Sequence, residues 1–309
     1  MHKLKGYQRV LLFLLLVLFL TSLLSPWAAW VWNLTIEVNP EWRGYRYPFS
    51  RIFDRLFMIL AIAMFFPFTR FLKIASAAQL GLSSLRRGYR DLFRGFSLAL
   101  ISFIALVLIM SLSDVFEPGL RLAFEDGLER SVKGLLTAVT VGFLEEIFFR
   151  GMIFRGLLDG WKPTAAFLVA NVFYAAIHFI KPAQKNYSEG LDPWLGFYHL
   201  IHAFERFLDP VSLLPGLFGL FLLGIVLSYA LLRTGSLYLS IGLHAGWVFA
   251  IKSIKVYGNY RRRDLGWIFG ASDPKFISGF TTWIGIIGVG VIIHWLTRRQ
   301  QKPLTETEI

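Results

Sequence analysis

The chain contains no cysteine, and that absence removes disulfide bonds, zinc–thiolate sites and cysteine nucleophiles from its chemistry. It leaves the redox compartment open. Charge is scarce as well. Asp, Glu, Lys and Arg make up 17% of the 309 residues, where a soluble domain carries about a quarter. Acidic residues are the scarcer kind, 20 against 32 Lys and Arg, for a net charge of +12. Such a balance raises the question of nucleic acid, but no basic segment is long enough to support that reading. In so apolar a chain an excess of Lys and Arg belongs to loops that meet anionic headgroups. Internal repeats, low-complexity segments and an HExxH pairing are all missing from the sequence.

What the chain has instead is apolar surface: 55% hydrophobic residues, 17% aromatic, and a mean hydropathy of +0.56. Several runs reach the ~20 residues that cross a bilayer core of about 30 Å. Backbone N–H and C=O groups in lipid must be satisfied within the segment, so these runs are helices. The expected fold is an all-α, polytopic transmembrane helical bundle of eight spans, over 10–32, 56–73, 95–113, 132–155, 163–180, 211–232, 236–254 and 279–297. Although Lys3, Lys5 and Arg9 precede the first run in the manner of a signal peptide, the stretch Val10 to Trp32 is too long for a signal h-region. Three segments follow: 1–131 with the N-terminal helices and loops, 132–255 as the core, and 256–309 with the last helix and a short polar tail from Gln300 to Ile309.

Loop charges predict the orientation. The N-terminus, the connection 74–94 (Arg86, Arg87, Arg90, Arg94), the end of span four (Arg150, Arg155, Lys162) and the end of span eight (Arg298, Arg299, Lys302) are basic. The connection 114–131 is acidic through Asp114, Glu117, Glu125, Asp126 and Glu129. Both termini are thereby expected in the cytoplasm, with a bacterial plasma membrane as the base-rate location. The stretch Lys252 to Arg263, rich in Arg, opposes this count. Residues 191–208 mix aromatic and charged side chains at helical spacing and read as an amphipathic helix at the interface.

Ionisable residues inside spans are costly, by about 2.5–3.5 kcal/mol on insertion scales, and mark function by default. Span four carries Glu145 and Glu146, span five His178, and span seven His244. On a helix Glu146 and Arg150 are four apart and can pair. Glu145 is rotated about 100° away and has no such partner in its own helix, which suits a general base. Two imidazoles on other helices complete a set able to activate water and to donate to a developing oxyanion. Purely structural roles are open too: a buried ionic cluster, a proton or ion path, or histidines that link helices. His199, His202 and Glu205 share a face that could take a metal ion, with a solvated stripe preferred, and His294 reads as an interface residue. Asn171 reads as a tie between helices, and Gly151, Gly156, Gly242 and Gly246 as close-packing positions.

These residues carry a family resemblance. Glu145-Glu146-Ile147-Phe148-Phe149-Arg150 matches the EExxxR motif of the CPBP family, the CAAX-type proteases and bacteriocin-processing proteins also called Abi. The segment from Tyr174 to His178 resembles its FxxxH motif, and the run from His244 its HxxxN motif. The resemblance, over about 135–250, implies a glutamic-type intramembrane endopeptidase acting on a membrane-associated protein or peptide. It implies Glu145 and His178 as the water-activating pair and His244 as an oxyanion donor, with Glu146 and Arg150 in support. No cofactor is implied. Tyr174 replaces the motif's Phe, and Val248 replaces its Asn, so one oxyanion donor is missing; Tyr174 or Trp247 Nε1–H could stand in. The competing readings are a zinc-dependent protease, a non-catalytic peptide-binding or immunity protein, and a proton-coupled transporter.

Overall fold

The computed structural model describes residues 4–82, 84–180, 187–188, 190–262, 264–270 and 276–298. Lys3, Arg263, Arg299, Lys302 and the tail from Gln300 lie outside them. The described chain is helical apart from one two-stranded ribbon. Helices fill all eight expected segments: α1 Gly6–Val38, α2 Phe49–Leu72, α3 Leu85–Leu112, α4 Phe124–Glu146, a π-helical turn Ile147–Phe154 with α5 Arg155–Leu158, α6 Pro163–Ile177, α8 Pro210–Thr234, α9 Tyr238–Ser253 and α11 Phe280–Leu296. The interfacial α7 spans Leu195–His202 and a short α10 spans Gly266–Phe269. Among the described residues, four candidate spans are long and apolar enough to cross a membrane: Gly6–Val38, Phe49–Leu72, Ala77–Leu112 and Pro210–Thr234. Pro163–Ile177 and Phe280–Leu296 are apolar but shorter. Of the eight expected spans, the four long segments are those that meet both length and composition.

Contacts divide the chain into two units, Met1–Ala75 with Ala176–Leu213, and Ser76–Ala175 with Leu214–Ile309. In the first unit α2 and α7 pack on α1, around Ala29, Phe49 and Phe53. Pro26 lies inside α1; having no N–H, it leaves the Ser22 carbonyl without its helical donor. At that point α7 presents Gly196, where a Cβ would stand 1.9 Å from Ser22 O. Only glycine admits the contact. His199 of α7 is buried with its ring 5.2 Å and 4.9 Å from the rings of Phe49 and Phe53, while the half-buried His202 lies 3.7 Å from Glu205. The solvated stripe expected of His199, His202 and Glu205 is thus split, because α7 buries its His199 edge against α2.

The second unit is organised by α9, which packs against α3 and α4. The α3–α9 seam closes through glycine: a Cβ on Gly242 would lie 2.0 Å from Leu92 O, and one on Gly246 2.7 Å from Phe96 O. Their packing role follows from that close approach of two backbones. Strand β1 (Phe116–Pro118) pairs antiparallel with β2 (Gly258–Tyr260), so the acidic and basic connections share one end of the unit. Arg261 bridges Asp114 at 3.0 Å and Glu117 at 2.7 Å. The Arg-rich stretch that opposed the charge count is in part neutralised by the acidic loop beside it.

Candidate active site

Helix α4 delivers Glu145 and Glu146 at its last turn, and the π-helical turn carries Arg150 immediately after. π-Turns interrupt α-helices at an energetic cost and are frequent at functional sites. Glu146 is fully buried and Arg150 is 1% exposed. Arg150 Nη1 donates to Glu146 Oε1 at 2.9 Å, which is the pair that the four-residue spacing predicts. The same guanidinium donates through Nη2 to Gly224 O of α8 at 3.2 Å and through Nε toward Ser228 Oγ at 3.4 Å. It also lies 4.3 Å from the centre of the Tyr174 ring. Ser228 Oγ in turn donates to Asn171 Oδ1 at 2.9 Å, so Asn171 ties α6 to α8 as expected. Arg150 thus donates to three oxygens, which is what makes a buried cation tolerable.

His244 of α9 is buried between the two carboxylates. Its Nδ1 lies 2.8 Å from Glu146 Oε1, and its Nε2 lies 3.7 Å from Glu145 Oε2. An ionised Glu146, paired with Arg150, can only accept hydrogen bonds. Nδ1 is therefore the donor, and the ring's remaining nitrogen faces Glu145. One carboxylate thus orients the imidazole in the way a metal or triad histidine is oriented by its outer partner. Glu145, with a side chain 32% exposed, is the more accessible of the two. Close approach of α4 and α9 makes this possible: a Cβ on Gly142 would stand 2.9 Å from Ala245 N.

The structure thus brings Glu145, Glu146, Arg150, Tyr174 and His244 into one cluster of the second unit. His178 stands on the half-buried turn just after α6, past the boundary at which the chain passes to the first unit. Trp247, expected as a substitute oxyanion donor, gives its Nε1–H to Ser102 Oγ of α3 at 3.1 Å, so that donor is engaged in helix packing. Ser228 and Gly224 of α8 belong to the site and were not singled out from sequence. Their only signal was a hydroxyl and a small residue within an otherwise apolar run. Among the described residues no group of three or more His, Asp or Glu side chains is disposed to hold a metal ion.

A family model described as Type II CAAX prenyl endopeptidase Rce1-like matches residues 128–250. That segment runs from within α4 to the last turn of α9 and contains the whole cluster, in agreement with the resemblance drawn from the motifs. No curated protein and no solved structure matches the chain.

Proposed function

Starting from a core, residues 128–250, of the Rce1-like type II CAAX prenyl endopeptidase family, we propose that the protein hydrolyses a peptide bond of a membrane-associated protein or peptide by a glutamic mechanism. The observation that carries the reading is the imidazole of His244 set between two carboxylates, 2.8 Å from Glu146 and 3.7 Å from Glu145. Glu145 is the base, acting with His178, which takes its role from the motif order. Water loses a proton to this pair and its oxygen bonds to the scissile carbonyl carbon. The carbonyl oxygen becomes the oxyanion, the C–N bond then breaks, and the retained proton passes to the leaving amine. Because Glu146 holds the Nδ1 proton, Nε2 of His244 donates only when the ring is imidazolium. In that form it stabilises the oxyanion as a charged donor, stronger than a neutral one. This compensates in part for Val248 at the position of the motif's Asn.

The spans fit the same reading. All eight helical segments, including the shorter α6 and α11, would make up the membrane domain, with the two carboxylates inside it. The decisive experiment incubates the purified protein in detergent with membrane-anchored peptides, prenylated CAAX peptides among them. Wild type, Glu145→Gln and His178→Ala run beside a chelator-treated sample. Cleavage by wild type that survives the chelator and disappears in both variants supports the glutamic mechanism. Loss with chelator and recovery with zinc would transfer the chemistry to a metal. No cleavage by a folded wild type would point to peptide binding without hydrolysis.

A further inference from the structure

Away from the carboxylate cluster, α8 and α11 enclose a furrow of about 300 Å³. Its walls are aliphatic, with Leu222, Ile225 and Val226 on α8 and Ile286, Ile287 and Val291 on α11. Gly290 lies in the floor, where a Cβ would come within 3.3 Å of Val226 Cγ2. The two helices run parallel here. Tyr229 and His294 close one end of the furrow through a hydrogen bond of 2.7 Å between the hydroxyl and Nδ1. One turn further on, Arg233 Nε and Nη2 donate to Thr297 Oγ1 and O at 2.9 and 3.0 Å. The furrow is apolar along its length and polar, then cationic, at one end.

Among the described residues neither Arg233 nor Arg298 pairs with a carboxylate. Arg298 lies instead 3.6 Å above the ring of Trp295, a tryptophan 61% exposed. An exposed Trp beside an Arg at the end of an apolar helix marks the depth of the headgroups. Basic sites between transmembrane helices bind anionic lipid headgroups, and in hydrocarbon an acyl chain is what fills an aliphatic furrow without cost to a polar backbone.

We propose that the α8–α11 furrow holds an acyl chain of an anionic phospholipid of the bilayer, with the headgroup against Arg233 and Arg298 beyond the Tyr229–His294 pair. The site is separate from the Glu145–His244 cluster and takes a lipid as a bound ligand, with no chemistry performed on it. Guanidinium groups at this depth recognise the phosphate and its negative headgroup; the furrow contributes chain burial and no headgroup selectivity.

The full-length protein is reconstituted in nanodiscs of equal parts phosphatidylcholine and phosphatidylglycerol, extracted into mild detergent, and its retained lipid counted by native mass spectrometry. Wild type is expected to retain phosphatidylglycerol in preference to phosphatidylcholine. Each arginine removed lowers that preference by about fivefold, so Arg233→Gln with Arg298→Gln lowers it by about 25-fold. Gly290→Leu, which fills the floor, lowers retention of both lipids and leaves the preference in place. Arg298→Gln alone keeps the test decisive should loss of the Arg233–Thr297 contacts unfold the helix ends. Equal preference in wild type and the arginine variants would overturn the proposal. So would undiminished retention in Gly290→Leu, or a dimer of the chain in place of lipid.

Discussion

Replacing Glu146 by Gln separates architecture from chemistry at the carboxylate pair. Glu146 Oε1 receives Arg150 Nη1 at 2.9 Å and His244 Nδ1 at 2.8 Å, with the glutamate fully buried and the arginine 1% exposed. Glutamine keeps the shape and one acceptor but strips the cation of its carboxylate. Breaking a buried ion pair on one side costs about 3–5 kcal/mol, because the other charge remains buried and uncompensated. At about 2 °C per kcal/mol, the low end for a chain above 150 residues, the unfolding midpoint falls by about 6–10 °C. Glu145→Gln keeps the size of a side chain that is 32% exposed and leaves the Glu146–Arg150 pair in place, so it is expected to cost less stability than Glu146→Gln, while peptide hydrolysis disappears. Tryptophan fluorescence during thermal unfolding in detergent reads the first quantity, and the peptide assay reads the second. Equal midpoints for the two variants, or a Glu146→Gln protein as stable as wild type, would refute the division of roles.

Three further outcomes are expected. Gly196→Ala places a methyl group 1.9 Å from Ser22 O, so α7 must lift from α1; overpacking of this kind costs about 1–3 kcal/mol, and hydrogen exchange over 195–202 should accelerate, whereas unchanged exchange would mean the helices give way without loss. Burial, with the charge of His202 adding to it, holds His199 down to about 4 from its ordinary 6.5. Its folded form is neutral, so the unfolded state binds the extra proton between those values; docking of α7 is full above about pH 6.5 and weakens as pH falls toward 4, a dependence that His199→Leu should abolish in the same exchange measurement. Arg261→Gln removes exposed bridges to Asp114 and Glu117 and should leave the unfolding midpoint nearly unchanged, since exposed ion pairs contribute little; a clear loss in thermal unfolding would show that the ribbon depends on charge and not on its backbone pairing.

Short-range periodicity decided what was legible before the structure. Apolar runs gave the helical segments, since a backbone in lipid has no alternative to the helix. The spacing of Glu146 and Arg150 gave their ion pair, since i and i+4 share a face whatever the surroundings. The family resemblance came from the same local strings. Which partner a polar group meets across the bundle is set by the register and spacing of helices far apart in sequence, and no spacing within a single helix encodes that. Glu146 meets His244 across 98 positions, Ser228 meets Asn171 across 57, and Trp247 turns to Ser102 across 145. Pairing of β1 with β2 likewise set Arg261 against the acidic loop 114–131, where charge counting along the chain saw only a contradiction. Composition and local pattern determined that this is an apolar helical protein with two carboxylates and an arginine on one helix. Only the close approach of α4 to α9, through Gly142 and Ala245, decided that one carboxylate orients a histidine while the other faces its second nitrogen.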